Sequence, residues 1–397
     1  MKKFTALLLA ILMAFSLTVT AFAADDRLTF NVDGKFRILQ INDFQDTDNV
    51  NEKSADFLNK ALDKYKPDLV VLVGDQLRDG MGNITVDRIK TALTSQLQPL
   101  EDRGIPFLFT FGNHDRDYIN TMSMESQAEF YRSFSVCMSE DNGPDAGTSN
   151  TVIYAADGKT PVMSIYMMDT KHWNGTGWTS GVTEDQVEWY KQTSNELKAQ
   201  NGGEPLPSLV FQHIPVKEIY QLLKEVPEGT PDAVKGKFAN NWYVVDENAD
   251  LTGDRNVMRE APASEHPEKV TGQYEAWVEQ GDIIGAYFGH DHINTFAGRT
   301  NDGIVMGYNG GFGFATYGDS GERYATLFEF YLNDVANYKR STVYYTQTVT
   351  FEEPSEPDIP DTPEEPEDEE PESKVGFFEK IKQFFEKIFE FFRNLFS

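Results

Sequence analysis

Five apolar runs in this chain each end on a carboxylate, an amide or an imidazole, and that repetition limits the available folds more than any other feature. Residues 36–41 lead to Asp43 and Gln45, and 69–73 lead to Gly74-Asp75. Residues 106–111 lead to Gly112-Asn113-His114-Asp115, 209–211 to His213, and 283–288 to Gly289-His290-Asp291-His292. The runs are short and rich in β-branched and aromatic residues, as buried strands are. A sixth run of this kind spans 162–168. Helical patterns lie at 51–65 and 183–200, the second opened by a Thr183/Gln186 capping box and stopped by Gly202. Strands alternating with helices predict an α/β fold, and its ligands bind at the carboxyl ends of the strands. Later runs at 303–306, 324–332 and 341–351 have no helices between them and predict antiparallel strands.

The residues at these ends suit metal ions. Setting His114 aside, they comprise two Asp, one Gln, one Asn and three His. Oxygen and imidazole donors without thiolate fit hard or borderline ions such as Mn, Fe, Zn, Ca or Mg. In an extended segment residues i and i+2 face the same way, so Asp43 pairs with Gln45 and His290 with His292, while Phe44 and Asp291 turn away. The glycines at 74, 112 and 289 predict tight turns that bring backbone close to an ion. Seven donors exceed one tetrahedral site and match two ions sharing a carboxylate, roughly 3.5–4 Å apart, clamped on a phosphoryl group. Two divalent ions balanced by Asp43 and Asp75 alone leave the cluster positive, able to hold a phosphate anion inside an acidic protein. Arg78, Arg116 and Arg259 are candidate phosphate contacts and equally ordinary surface charges.

In their order, Asp43-x-Gln45, Gly74-Asp75, Gly112-Asn113-His114-Asp115, His213 and Gly289-His290-Asp291-His292 resemble the motifs of the calcineurin-like metallophosphoesterase superfamily. The stretch from 289 through Asn309-Gly310-Gly311-Phe312-Gly313 to Tyr317-Gly318 resembles its purple-acid-phosphatase-like branch. The resemblance implies a four-layer α/β/β/α sandwich and two divalent metal ions. It implies that Asp43, Gln45 and His292 hold one ion, that Asn113, His213 and His290 hold the other, and that Asp75 bridges. His114 is then the residue that protonates the leaving oxygen or helps hold the phosphoryl group, with Asp115 as its orienting neighbour. The implied reaction is hydrolysis of phosphate mono- or diesters by a metal-bound hydroxide. Gln45 stands where the commonest pattern has His. The purple enzymes' tyrosine ligand, three residues after the bridging Asp, is replaced by Arg78, so an Fe(III)–tyrosinate centre is not expected.

The ends of the chain read differently. Met1-Lys2-Lys3, an apolar stretch and Ala21-Phe22-Ala23 describe a signal peptide over 1–23, making the mature protein a bacterial secreted or cell-surface product. The main domain is expected over 24–351. A single cysteine, Cys137, excludes an intramolecular disulfide framework, and a net charge of −29 argues against nucleic-acid binding. Residues 352–373 hold six prolines and no basic residue, as a disordered acidic linker does. Residues 374–397 form a phenylalanine-rich amphipathic pattern about 36 Å long as a helix. Its apolar face (377–396) needs a membrane surface, copies of itself or a cell-envelope partner. A non-catalytic metal-containing protein attached through this helix is the competing reading.

Overall fold

The computed structural model describes residues 27–170, 181–237, 240–263 and 271–350. The expected leader (1–23), linker (352–373) and terminal helix (374–397) lie outside the described residues. In chain order the strands begin with β1 (Leu28–Thr29), β2 (Lys35–Ile41), β3 (Leu69–Val73), β4 (Phe107–Thr110), β5 (Ser149–Tyr154), β6 (Pro161–Met168) and β7 (Ser208–Gln212). They continue with β8 (Leu223–Val226), β9 (Val234–Lys235), β10 (Trp242–Val245), β11 (Asp250–Leu251) and β12 (Ile283–Phe288). Last come β13 (Ala297–Arg299), β14 (Val305–Tyr308), β15 (Tyr324–Tyr331) and β16 (Lys339–Tyr344). The helices are α1 (Glu52–Tyr65), α2 (Val86–Arg103), α3 (Met124–Arg132), α4 (Glu184–Gln200), α5 (Gln273–Gln280) and α6 (Tyr345–Val349).

Two sheets carry the fold. One runs β16-β15-β2-β3-β4, and the other β1-β5-β6-β7-β12-β14-β13-β11. The period-two alternation of each strand assigns its side chains to layers. Phe36 and Ile38 of β2, with Leu69, Val71 and Val73 of β3, pack between the sheets against Ile165, Leu209, Phe211 and Tyr287. Leu39, Ile41, Val70 and Leu72 point the other way, onto Phe57, Leu58 and Leu93 of α1 and α2. On the far side Tyr166, Val210, Ala286 and Phe288 pack on Tyr190 and Leu197 of α4 and Trp277 of α5. The result is the four-layer α/β/β/α sandwich. Covering both faces of each sheet explains why the strands read as continuous apolar runs.

The capping box is present: the Thr183 N–H donates to Gln186 Oε1 at 2.6 Å, and the Gln186 N–H donates to Thr183 Oγ1 at 3.3 Å. Two expectations are corrected. β14 pairs with β12 in parallel and only with β13 antiparallel, so a strand without a preceding helix still joins the parallel block. The run at 341–351 stops as a strand at Tyr344 and turns into α6, which packs on α1. A small sheet, β8-β10-β9, lies between β7 and β12 in sequence and was not visible as a separate element.

Candidate metal centre

The five donor-bearing segments leave β2, β3 and β4 of one sheet and β7 and β12 of the other, all at carboxyl ends. The two sheets are stitched together there by the donors themselves. His213 Nδ1 lies 2.9 Å from the Val73 carbonyl, joining β7 to β3. The His290 N–H donates to Asp43 Oδ2 at 2.9 Å, joining the β12 turn to the β2 turn. Asp43 and Gln45 do not reach the site by strand alternation, as the sequence pattern predicts. Their φ values are 51° and 40°, Asp75 has 52° and His290 has 74°. Left-handed backbone in non-glycine residues costs on the order of 1–3 kcal/mol each and persists where surrounding contacts over-determine it.

Those contacts can be named. The buried Asp115 carboxylate accepts from the N–H groups of Asp75 (2.8 Å), Gln76 (3.0 Å), Leu77 (3.2 Å) and Gly112 (2.8 Å). It clamps the β3 and β4 turns together. Asn42 Nδ2 donates to Asp43 Oδ2 at 2.6 Å and to the Asn309 carbonyl at 3.0 Å, fixing one face of Asp43. Two glycines let these turns touch. A Cβ on Gly74 (φ 80°) would lie 2.5 Å from Gly112 N, and one on Gly112 would lie 2.1 Å from Asp75 Oδ1. Gly112→Ala must therefore displace Asp75, and an ångström of misplacement costs about a hundredfold in rate. The expected result is reduced metal content together with that loss of turnover; wild-type values of both contradict the close approach.

The sequence-predicted donors converge. Asp75, His213 and His290 present ligand atoms all within 4.8 Å of one another. His213 Nε2 lies 3.2 Å from Asp75 Oδ2, 3.8 Å from Asp43 Oδ1 and 3.3 Å from His290 Nδ1. Asn113 Oδ1 is 2.8 Å from His290 Nδ1. On the other side His292 Nε2 is 3.2 Å from Asp43 Oδ1, and Gln45 Nε2 is 3.0 Å from Asp75 Oδ2. Ligation by Gln45 requires its amide to turn over, so that the oxygen faces inward.

These contacts fit cations. The Nδ1 atoms of His213 and His292 face backbone carbonyls, at Val73 and at Tyr317 (2.8 Å), and so carry the protons. Each neutral ring then aims the lone pair of Nε2 at a carboxylate oxygen. Asp43 Oδ1, one of those oxygens, is buried and has no hydrogen-bond donor. Lone pairs facing lone pairs in a buried site call for positive charge between them. Without ions the charge falls to protons. Burial opposes it, yet Asp75 and Asp43 push His213 up to about 10, and Asp43 raises His292. Burial and the charge on His213 hold His290 well below the ordinary histidine value. Burial also works against ionised Asp75, but His213 keeps its carboxyl far below the usual range.

Other residues differ from expectation. Asp115 does not orient His114; that role falls to Asp117, whose Oδ2 lies 2.8 Å from His114 Nδ1. His114 is tied to the centre through its N–H, which donates to Asp75 Oδ1 at 2.8 Å. Arg116 pairs with Asp169 and Arg259 with Asp319. The Arg78 side chain is exposed, while its backbone bonds Asp46 and Tyr118. Asp291 does turn away, accepting from Tyr308 Oη (2.6 Å), the Ala263 N–H (2.9 Å) and Lys237 Nζ (2.9 Å). Asn42, Asp117 and Lys237 were missed by sequence reasoning, and Tyr317 stood only in the branch motif, without a role. Asp117 alone carried a local signal, three residues beyond His114.

A buried cluster of carboxylate, amide and imidazole donors on the shared rim of two stacked sheets is a site for two divalent ions and for hydrolytic chemistry. The family model for calcineurin-like phosphoesterases matches residues 36–294, and the chain belongs to that family. It is a metal-dependent phosphoesterase by class. The Arabidopsis thaliana protein named probable inactive purple acid phosphatase 14 is 27% identical over 342 residues, spanning 76% of this chain and 77% of that one. Phosphatase DCR2 of Saccharomyces cerevisiae is 24% identical, over 72% of this chain and 49% of its own. Among solved structures, a dimetal phosphatase from Danio rerio is similar with a TM-score of 0.45 at 13% identity, over 78% of this chain and 99% of that one.

Proposed function

We propose that this chain is an exported hydrolase of phosphate mono- or diesters. The observation that carries the proposal is the set of opposed lone pairs, with the buried, donorless Oδ1 of Asp43 at its centre. Asp43, Gln45, Asp75 and His292 would hold one ion, and Asp75, Asn113, His213 and His290 the other. Two bound divalent ions supply charge for the phosphoryl oxygens and lower the pKa of a coordinated water toward about 7.

The protein's own residues do the rest. Asp115 and Asn42 keep the β3 and β2 turns rigid, so the donors need no reorganisation when substrate arrives. His114, with a third of its side chain exposed, is held through its ring by Asp117. Burial opposes its charge, but the hydrogen bond it donates to Asp117 and the fields of Asp75, Asp117 and Asp79 push it up to about 9. Held by Asp117 through Nδ1, the ring is suited to deliver a proton from its other nitrogen to the departing alkoxide. The leader pattern at 1–23 supports export, and the amphipathic sequence pattern at 374–397 supports contact with a membrane surface, with a further copy of the chain or with a cell-envelope partner.

The competing reading, a metal-containing binding protein, draws on three Arabidopsis relatives that are named probable inactive purple acid phosphatases. Purified protein loaded with Mn, assayed on a panel of mono- and diesters, separates the two. Turnover of at least one ester, lost on chelation and restored by Mn, is the expected result. Full metal occupancy with no turnover across the panel overturns it.

A further inference from the structure

Beside the metal centre the chain presents one aromatic ring to solvent on a rigid mount. The Tyr317 ring stacks on His292, with centroids 4.0 Å apart and planes 10° from parallel, and is still 52% exposed. One ring face is covered by His292, so that exposure falls on the other face and the edge. The loop bearing it is pinned from beneath. The buried Arg323 guanidinium donates to the carbonyls of Gly313, Thr316 (2.9 Å) and Asp319 (3.1 Å). The Asp319 carboxylate in turn accepts from Tyr324 Oη at 2.6 Å and Arg255 at 2.9 Å. Tyr317 Oη lies 3.2 Å from both carboxylate oxygens of Glu260. An exposed aromatic held this firmly loses little entropy when a second ring stacks on it.

We propose that Tyr317 and Glu260 form a leaving-group subsite that selects phosphate esters whose alcohol carries a planar ring, either a nucleoside or an aryl alcohol. The ring stacks on the open face of Tyr317, and in a nucleoside the sugar hydroxyls donate to Glu260. The inference rests on the phosphoesterase reading and adds the substrate class. Tyr317 holds His292 through its backbone carbonyl, which a side-chain substitution leaves in place. Ring recognition is therefore separable from that hydrogen bond, and Tyr317→Phe keeps the stack on His292 as well.

The test compares esters with matched leaving groups. Adenosine 5′-monophosphate and glycerol 3-phosphate both release a primary alcohol, and phenyl phosphate forms a third arm. In the Mn-loaded full chain kcat/KM should favour the nucleotide over glycerol 3-phosphate. Tyr317→Leu should lower that ratio about tenfold, the scale of one base–aromatic stack. Tyr317→Phe should keep most of it, and Glu260→Gln should lower the ratio of nucleotide to phenyl phosphate. Free adenosine should compete with glycerol 3-phosphate in wild type and lose that competition in Tyr317→Leu. Equal losses on all esters would mark Tyr317 as a support for His292 and overturn the subsite. So would hydrolysis without ring preference. If no ester is hydrolysed at all, the phosphoesterase reading fails first, and adenosine binding by the metal-loaded protein then decides the subsite alone.

Discussion

Asp75→Asn is expected to lower kcat/KM at least a thousandfold, about 4 kcal/mol of transition-state stabilisation, and to reduce metal content from two ions toward one. The size follows from where the carboxylate sits. Oδ2 faces His213 Nε2 at 3.2 Å and Gln45 at 3.0 Å, while Oδ1 accepts the His114 N–H at 2.8 Å. One side chain thus faces donors assigned to both ions and also holds the segment that carries the proton donor. Asparagine keeps the shape but removes the charge, and a neutral amide bridges two cations poorly. The fold should survive, because Asp115 fixes the turn through the backbone N–H of residue 75, which asparagine retains. Metal analysis and thermal melting on the same sample check both halves. Near-wild-type turnover in this variant would mean that Asp75 does not bridge.

His114→Ala should act on turnover without emptying the site. Its ring bonds Asp117 and its N–H donates to Asp75. Metal content near wild type is expected, with turnover of alkyl phosphates falling by about 10²–10⁴-fold. A proton donor matters most when the departing alkoxide is strongly basic. The loss should therefore be much smaller on p-nitrophenyl phosphate, whose phenolate leaves unaided. An equal loss on both substrates would assign His114 to holding the phosphoryl group. Loss of metal would make it a ligand.

Much of this site can be read along the chain because its donors follow strands that are apolar on both faces. Runs such as Leu69–Val73 need no register information to be recognised, and a polar residue at their carboxyl ends is local information. The conformation of those residues is not local. Asp43 and Gln45 face the site through left-handed backbone that is held by Asn42, by Asn309 far along the chain and by hydrogen bonds to the β3 turn. No periodicity reports such long-range clamps. Asp115 illustrates the same limit. Its place beside His114 in sequence suggests a catalytic partner, whereas the 3-10 turn from His114 to Tyr118 directs it inward onto four backbone N–H groups and leaves Asp117 for the imidazole. The small sheet and the Lys237 that follows β9 escape sequence reading because β8 and β9 are short and half charged, and the apolar β10 is only four half-buried residues long, with no neighbouring run to mark it as part of a sheet.

The pairing of two cations by donors from both sheets is tested most directly by anomalous diffraction from crystals of this protein grown with Mn²⁺. Two peaks are expected, one among Asp43, Gln45 and His292 and one among Asn113, His213 and His290, with Asp75 touching both. A single peak distant from Asp75, or none at saturating metal, would contradict the account.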